Sequence, residues 1–266
     1  MSSNSPLKVA IATFGLANSL RDVITVASDA GAEGVQLDVR SEVAANQFGE
    51  TASRQLLHSL EERGLKVAST TFPLRRALYD KEQIDGRVAA LKEGIRLAAR
   101  LKCRVLTLRI GRIPGDSQKE DAERLIGALN DLARTGNRSG VTVAVTTSGD
   151  APETLLKLLE QIKEGPVGID FDPAGCISAQ LAPIPVLKSL HDHVLHVQGR
   201  DAVRDLETGG AEVPLGRGET PWEEVLAILG DSKYGGWITV RRTTGADRAG
   251  DSSRAIAYLR TVATGG

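Results

Sequence analysis

VGIDFDPAG, residues 167–175, and HVLHVQGRD, residues 193–201, decide the reading of this chain. Each is a short apolar run that ends in acids, a glycine or a basic residue, and about a helix's worth of chain separates them. Residues two apart on a strand share a face, so Asp170 and Asp172 project together, and so do His196 and Gln198. Four polar side chains on the inner faces of two successive strands are poor packing material, because each needs a partner once buried. A polar residue just past a buried parallel strand belongs at the mouth of an α/β fold, where ligands bind. These two runs are therefore read as the floor of a site.

Working outward, the same strand–helix alternation recurs along the chain. Strands are expected at 7–14, 34–39, 65–72, 103–110, 141–147, 167–171, 194–198 and 237–241. The expected helices cover 18–30 (capped by Asn18), 50–63, 83–101, 117–134, 151–163, a weaker one near 184–190, one capped by Thr220 and opened by Pro221, and 252–262. Strict alternation requires parallel pairing through helical crossovers. Eight units without a composition break point to a single (β/α)8 TIM barrel, one domain over residues 1–266. An open doubly wound sheet would want a glycine fingerprint after its first strand, and TFGLANS is not one.

Composition narrows the function. Lys and Arg total 33 against 34 Asp and Glu, so at a net charge of −1 no global field recruits nucleic acid or an acidic membrane. Cys103 and Cys176 are too few for a disulfide scaffold or a cysteine zinc site. The N-terminus, MSSNSPLK, lacks an apolar signal core, and no run approaches a membrane span, so a cytoplasmic location is expected. Aromatic residues make up 3%, which argues against base stacking.

Several motifs resemble the xylose isomerase-like barrel superfamily of sugar isomerases and epimerases. GAEGVQLDVR (31–40) resembles its second strand, VGIDFDPAG its sixth-strand aspartate segment, and HVQGRD its seventh-strand H-x-H-x-K-D. PLGRGETPWEEVLAIL followed by YGGWITVR resembles its last strand–helix–strand passage. The resemblance implies a divalent metal held by a glutamate, an aspartate, a histidine and a glutamate from strands five to eight. Carried over position by position, these fall on Thr146, Asp172, Gln198 and Arg241, and a substrate-contacting histidine falls on Gly175. Only the aspartate survives. Thr146 and Gln198 are neutral, and Arg241 places a fixed cation where an anionic ligand belongs. The expectation is no metal and no other cofactor. Four histidines are also too few for the three-zinc branch of the superfamily.

Arginines recur at the expected strand ends: Arg40, Arg109, Arg112, Arg200, Arg241 and Arg242. Either they form a pocket for an anion, or each pairs with a local acid such as Asp38, Asp172, Asp201 or Asp205. Asp172, His196 and Arg241 are the candidate catalytic residues, with a direct Arg241–Asp172 pair expected to fill the place of the metal. Arg109, Thr146, Gln198 and Arg200 are the candidate substrate-binding residues, and Thr146, Thr147 and Ser148 the expected hydroxyl lining. His196 reads either as a general base or as a histidine satisfied inside the barrel. The expected partner is a small anionic metabolite, a sugar phosphate or sugar acid; self-association into a homo-oligomer stays open. Without the metal, arginines would have to stabilise an oxyanion while Asp172 or His196 moves the proton. The alternative is a non-catalytic relative that binds a metabolite or a protein.

Overall fold

The computed structural model describes residues 7–17, 19–45, 48–147, 149–205 and 209–265. In chain order the elements are β1 (Val9–Ala12), α1 (Leu20–Asp29), β2 (Gly34–Asp38), α2 (Glu50–Glu61), β3 (Lys66–Thr71), α3 (Ile84–Arg100) and β4 (Val105–Leu108). Next come α4 (Lys119–Ser139), β5 (Thr142–Thr146), α5 (Pro152–Glu160), β6 (Val167–Phe171), α6 (Pro173–Ser178), α7 (Pro183–Leu190) and β7 (Val194–Gly199). The chain closes with β8 (Asp201–Asp205), β9 (Gly209–Val213), α8 (Trp222–Asp231), β10 (Trp237–Val240) and α9 (Arg248–Thr264).

Eight of these strands close a parallel barrel in the order β1-β10-β7-β6-β5-β4-β3-β2, with the helices outside. This is the (β/α)8 barrel that the alternation predicts. Outward-facing residues such as Ile11, Leu37, Leu106, Val143, Ile169, Val197 and Ile238 pack against the helices and form one continuous apolar shell. Among the described residues, no helix is long and apolar enough to cross a membrane.

The departures from the sequence expectation have local causes. Ser19, rather than Asn18, caps α1, its hydroxyl oxygen accepting from the Asp22 N–H; Asn18 itself lies outside the described residues. Helix α4 runs five residues past Arg134, to Ser139, and stops only at Gly140, whose φ of 69° suits a left-handed C-cap. The helix expected near 184–190 is α7, and a further short helix, α6, precedes it, with Gln180 in a left-handed conformation between them. Thr220 does not cap α8: among the described residues its hydroxyl has no partner, and Pro221 occupies the cap position.

The long connection after β7 is not plain loop. β8 and β9 pair antiparallel, with Ala202 opposite Glu212. Ala202 packs with Ala174 and Ile177 of α6 in a small cluster of its own, which seats this two-stranded sheet beside the barrel mouth. The following GRGET loop wraps around Asp201. The carboxylate accepts from the backbone N–H groups of Gly216, Gly218 and Thr220 at 3.0–3.1 Å. A β-carbon at Gly218 would lie 2.2 Å from Asp201 Oδ1, so only glycine allows that approach.

Candidate functional site

Strand register builds the site in two layers. β6 and β7 slip by one residue between Ile169 and Asp170, which sets Asp170 directly opposite His196. β5 places Thr146 beside Asp170, and β10 places Thr239 beside Gln198. Period-two alternation then turns Thr146, Asp170, His196, Gln198 and Thr239 into the lumen, where all are buried.

This lower layer is a closed hydrogen-bond network. Asp170 Oδ1 accepts from His196 Nδ1 at 2.7 Å, and Oδ2 accepts from Thr146 Oγ1 at 2.7 Å and Gln198 Nε2 at 2.8 Å. With its Nδ1 proton facing a carboxylate, a neutral imidazole presents Nε2 as an acceptor. The Thr239 and Ser69 hydroxyls lie 2.7 and 3.0 Å from that nitrogen. Ser69 Oγ in turn accepts from Gln36 Nε2 at 2.9 Å, carrying the network across the lumen to β2. His196 is 1% exposed. Of the two readings of this histidine, the geometry matches the satisfied one. Gln36, Ser69 and Thr239 belong to the network although the sequence reading did not single them out; their lumen-facing positions two residues from strand ends were the available signal.

The upper layer is ionic. Asp172, just past β6, caps α6 through Oδ1, which accepts from the Gly175 N–H at 3.1 Å. Its Oδ2 accepts from Arg200 at 2.7 Å and Arg109 at 3.2 Å, while the Thr147 hydroxyl accepts from its backbone N–H. Ser148 lies outside the described residues. Arg200 continues to Glu212 of β9 at 2.9 Å. Glu212 also accepts from Arg242 at 3.0 Å and from the Thr243 N–H and hydroxyl. Arg242 closes the chain on Asp251 at 3.0 Å. The Asp172 charge, followed by Glu212, raises the pKa of Arg200 despite its burial. Burial works against ionising Glu212, yet hydrogen bonds from Thr243 and Arg200 outweigh it and hold the carboxyl at about 2.

The expected Arg241–Asp172 pair is not among these contacts. Arg200 and Arg109 occupy that carboxylate, and among the described residues the Arg241 side chain has no hydrogen bond or ion pair. Burial first, then the neighbouring Arg200, lowers the pKa of Arg241; Asp172 and Asp170 offset part of this. Two buried atoms nearby also lack partners: Gln198 Oε1 and Arg200 Nε. The Arg40 side chain donates to the Pro73 carbonyl and lies over the Phe72 ring, and among the described residues it forms no ion pair.

At the four positions where the resemblance implies metal ligands stand a hydroxyl bonded to Asp170, a carboxylate taken by two arginines, an amide bonded to Asp170 and a guanidinium. Among the described residues, no three His, Cys, Asp or Glu side chains gather in a way that could hold a metal ion. The donor set does not fit the family's cation.

A sequence profile described as xylose isomerase-like TIM barrel matches residues 24–262. No curated protein matches the sequence. Among solved structures, a xylose isomerase domain protein from Planctomyces limnophilus superposes with a TM-score of 0.86 at 23% identity, covering 97% of this chain and 98% of that one. A probable 3-DHS dehydratase from Bacillus anthracis gives 0.76 at 16% identity, over 95% and 98% of the two chains. A D-psicose 3-epimerase solved in the presence of D-fructose gives 0.76 at 14% identity, over 97% and 100%. These likenesses show a shared fold, and the profile match covers most of the sequence: the chain belongs to the xylose isomerase-like TIM barrel family.

Proposed function

We propose that this barrel has given up the family's divalent-metal site and binds an anionic sugar derivative, a sugar phosphate or sugar acid, at its C-terminal face. One observation carries the reading: among the described residues Arg241 has no hydrogen bond or ion pair, where the resemblance places an anionic metal ligand. A guanidinium there repels a dication and attracts an anion. Arg109, more than half exposed, and Arg200 extend the positive surface beside it.

A second reading, that the protein binds without turning over, is supported by the state of the proton-moving candidates. His196 is sealed beneath the site, and both Asp172 oxygens are engaged. If turnover persists, Arg241 and Arg109 are the groups able to stabilise an enediolate oxygen, and Asp172 would have to leave an arginine to accept a proton.

Thermal-shift assays with sugar phosphates and sugar acids, with and without Mn²⁺, test the binding claim. Stabilisation by an anion alone is expected. Stabilisation by Mn²⁺ alone would overturn the metal-free reading. NMR of the bound sugar in D₂O separates the two functions: carbon-bound deuterium appearing next to a carbonyl means catalysis, and its absence during prolonged binding means a binding protein.

A further inference from the structure

Resting on the anion-binding reading above, we infer that the ligand is a hydroxylated monocarboxylate, held by its carboxylate on Arg241 and by a hydroxyl donated to Gln198 Oε1. Two unsatisfied groups define it, and each asks for a different chemistry. Asp170 Oδ2 accepts from Gln198 Nε2, so the amide's donor end is fixed toward the network and its oxygen is turned away from it. That oxygen is buried, and among the described residues no donor reaches it. The missing partner must donate a proton, as a hydroxyl does and a carboxylate does not.

Arg241 asks for the opposite. It lies two residues beyond Thr239, and Thr239 is the register partner of Gln198, so Arg241 holds the next inward-facing position above Gln198, within electrostatic reach of Asp172 and Asp170. Among Arg109, Arg200, Arg241 and Arg242, the other three already hold carboxylates. Asp172 and Asp170 offset the crowding of Arg241 only in part, and among the described residues no carboxylate forms an ion pair with it, which leaves its fork open to one negative charge. A guanidinium fork fits a planar carboxylate with two parallel hydrogen bonds.

A phosphate fits less well. It carries close to two charges at neutral pH. Phosphate sites usually draw on free backbone N–H groups at a helix N-terminus or a glycine turn. The helix that opens at this mouth, α6, spends its Gly175 N–H on Asp172. Among the described residues, a guanidinium without an ion pair set close to an orphaned acceptor selects a sugar acid over a sugar phosphate.

The test uses calorimetric titration of the whole protein with D-gluconate and D-glucuronate as hydroxylated acids. Hexanoate supplies the charge without hydroxyls, D-sorbitol the hydroxyls without charge, and D-glucose 6-phosphate the dianion. The sugar acids should bind more tightly than hexanoate, sorbitol or the phosphate. Arg241→Met should weaken them roughly tenfold or more, the range of a charge-assisted contact. The same variant should melt about 2–4 °C higher, since a half-buried charge crowded by Arg200 has been removed. An arginine serving the fold would melt lower when replaced. Gln198→Met should narrow the gap between gluconate and hexanoate about fivefold.

Equal binding of hexanoate and the sugar acids overturns the hydroxyl contact. Tight binding of glucose 6-phosphate with none of the acids overturns the carboxylate assignment while leaving the anionic site standing. No binding by any anion removes the site reading itself, and the present inference with it.

Discussion

Asp170 holds three donors with two oxygens, in a lumen sealed from water. Replacing it by alanine strands His196 Nδ1, Thr146 Oγ1 and Gln198 Nε2 together. Each buried group left unpaired costs on the order of 1–3 kcal/mol, so Asp170→Ala should lose at least about 3 kcal/mol. A urea midpoint shift with an unchanged m-value would check this. The residue types in this layer were legible, because period-two alternation sent Asp170, Asp172, His196 and Gln198 to one face. Who bonds whom was not. Arg241 and Arg200 stand at the ends of neighbouring strands, and only the directions of long side chains in space settle that Arg200 takes Asp172.

The inserted β8–β9 sheet is anchored to the barrel through Glu212, and that anchor is pH-sensitive. The carboxyl titrates near 2 in the folded protein against a usual 4.5. A lowered pKa means that its stabilisation is complete above about 4.5 and is lost as pH falls toward 2. The shift corresponds to roughly 3 kcal/mol. Glu212→Gln should therefore be destabilised most at neutral pH, and its unfolding free energy should converge with that of the unmodified protein near the acid limit. Gly218→Ala tests the other anchor. Its β-carbon would meet Asp201, and the loop should lose about 1–3 kcal/mol, seen as faster amide exchange at Gly216 and Thr220. The strands of this small sheet escaped the sequence reading for a physical reason. DAVRD carries three charged residues and GGAEV opens on two glycines, and both are partly solvent-facing, so they lack the apolar run that marks the barrel strands. Helix α4 was read as far as Arg134, where its apolar spacing ends; Gly136 sits inside the helix, against the Val141 carbonyl.

Across the whole molecule, the barrel was the most legible feature, because eight apolar runs at even spacing admit few arrangements. The mouth is a different matter: its carboxylates are paired from within. Arg109 and Arg200 engage Asp172, which alone remains of the implied ligand set, and the chain of pairs runs on through Glu212 and Arg242 to Asp251. A protein paired this way should keep its melting temperature, within error, when treated with EDTA. A fall of several degrees would mean that metal supports the fold.

The interlocked floor of the lumen also constrains how this protein can vary. His196, Asp170, Thr146, Gln198, Ser69 and Gln36 each answer another member, so changing one leaves its neighbour stranded. Relatives that diverge here should do so through matched exchanges, such as Asp170 together with His196, while the rim above, where Arg241 bonds to none of the described residues, is free to drift one residue at a time toward new ligands.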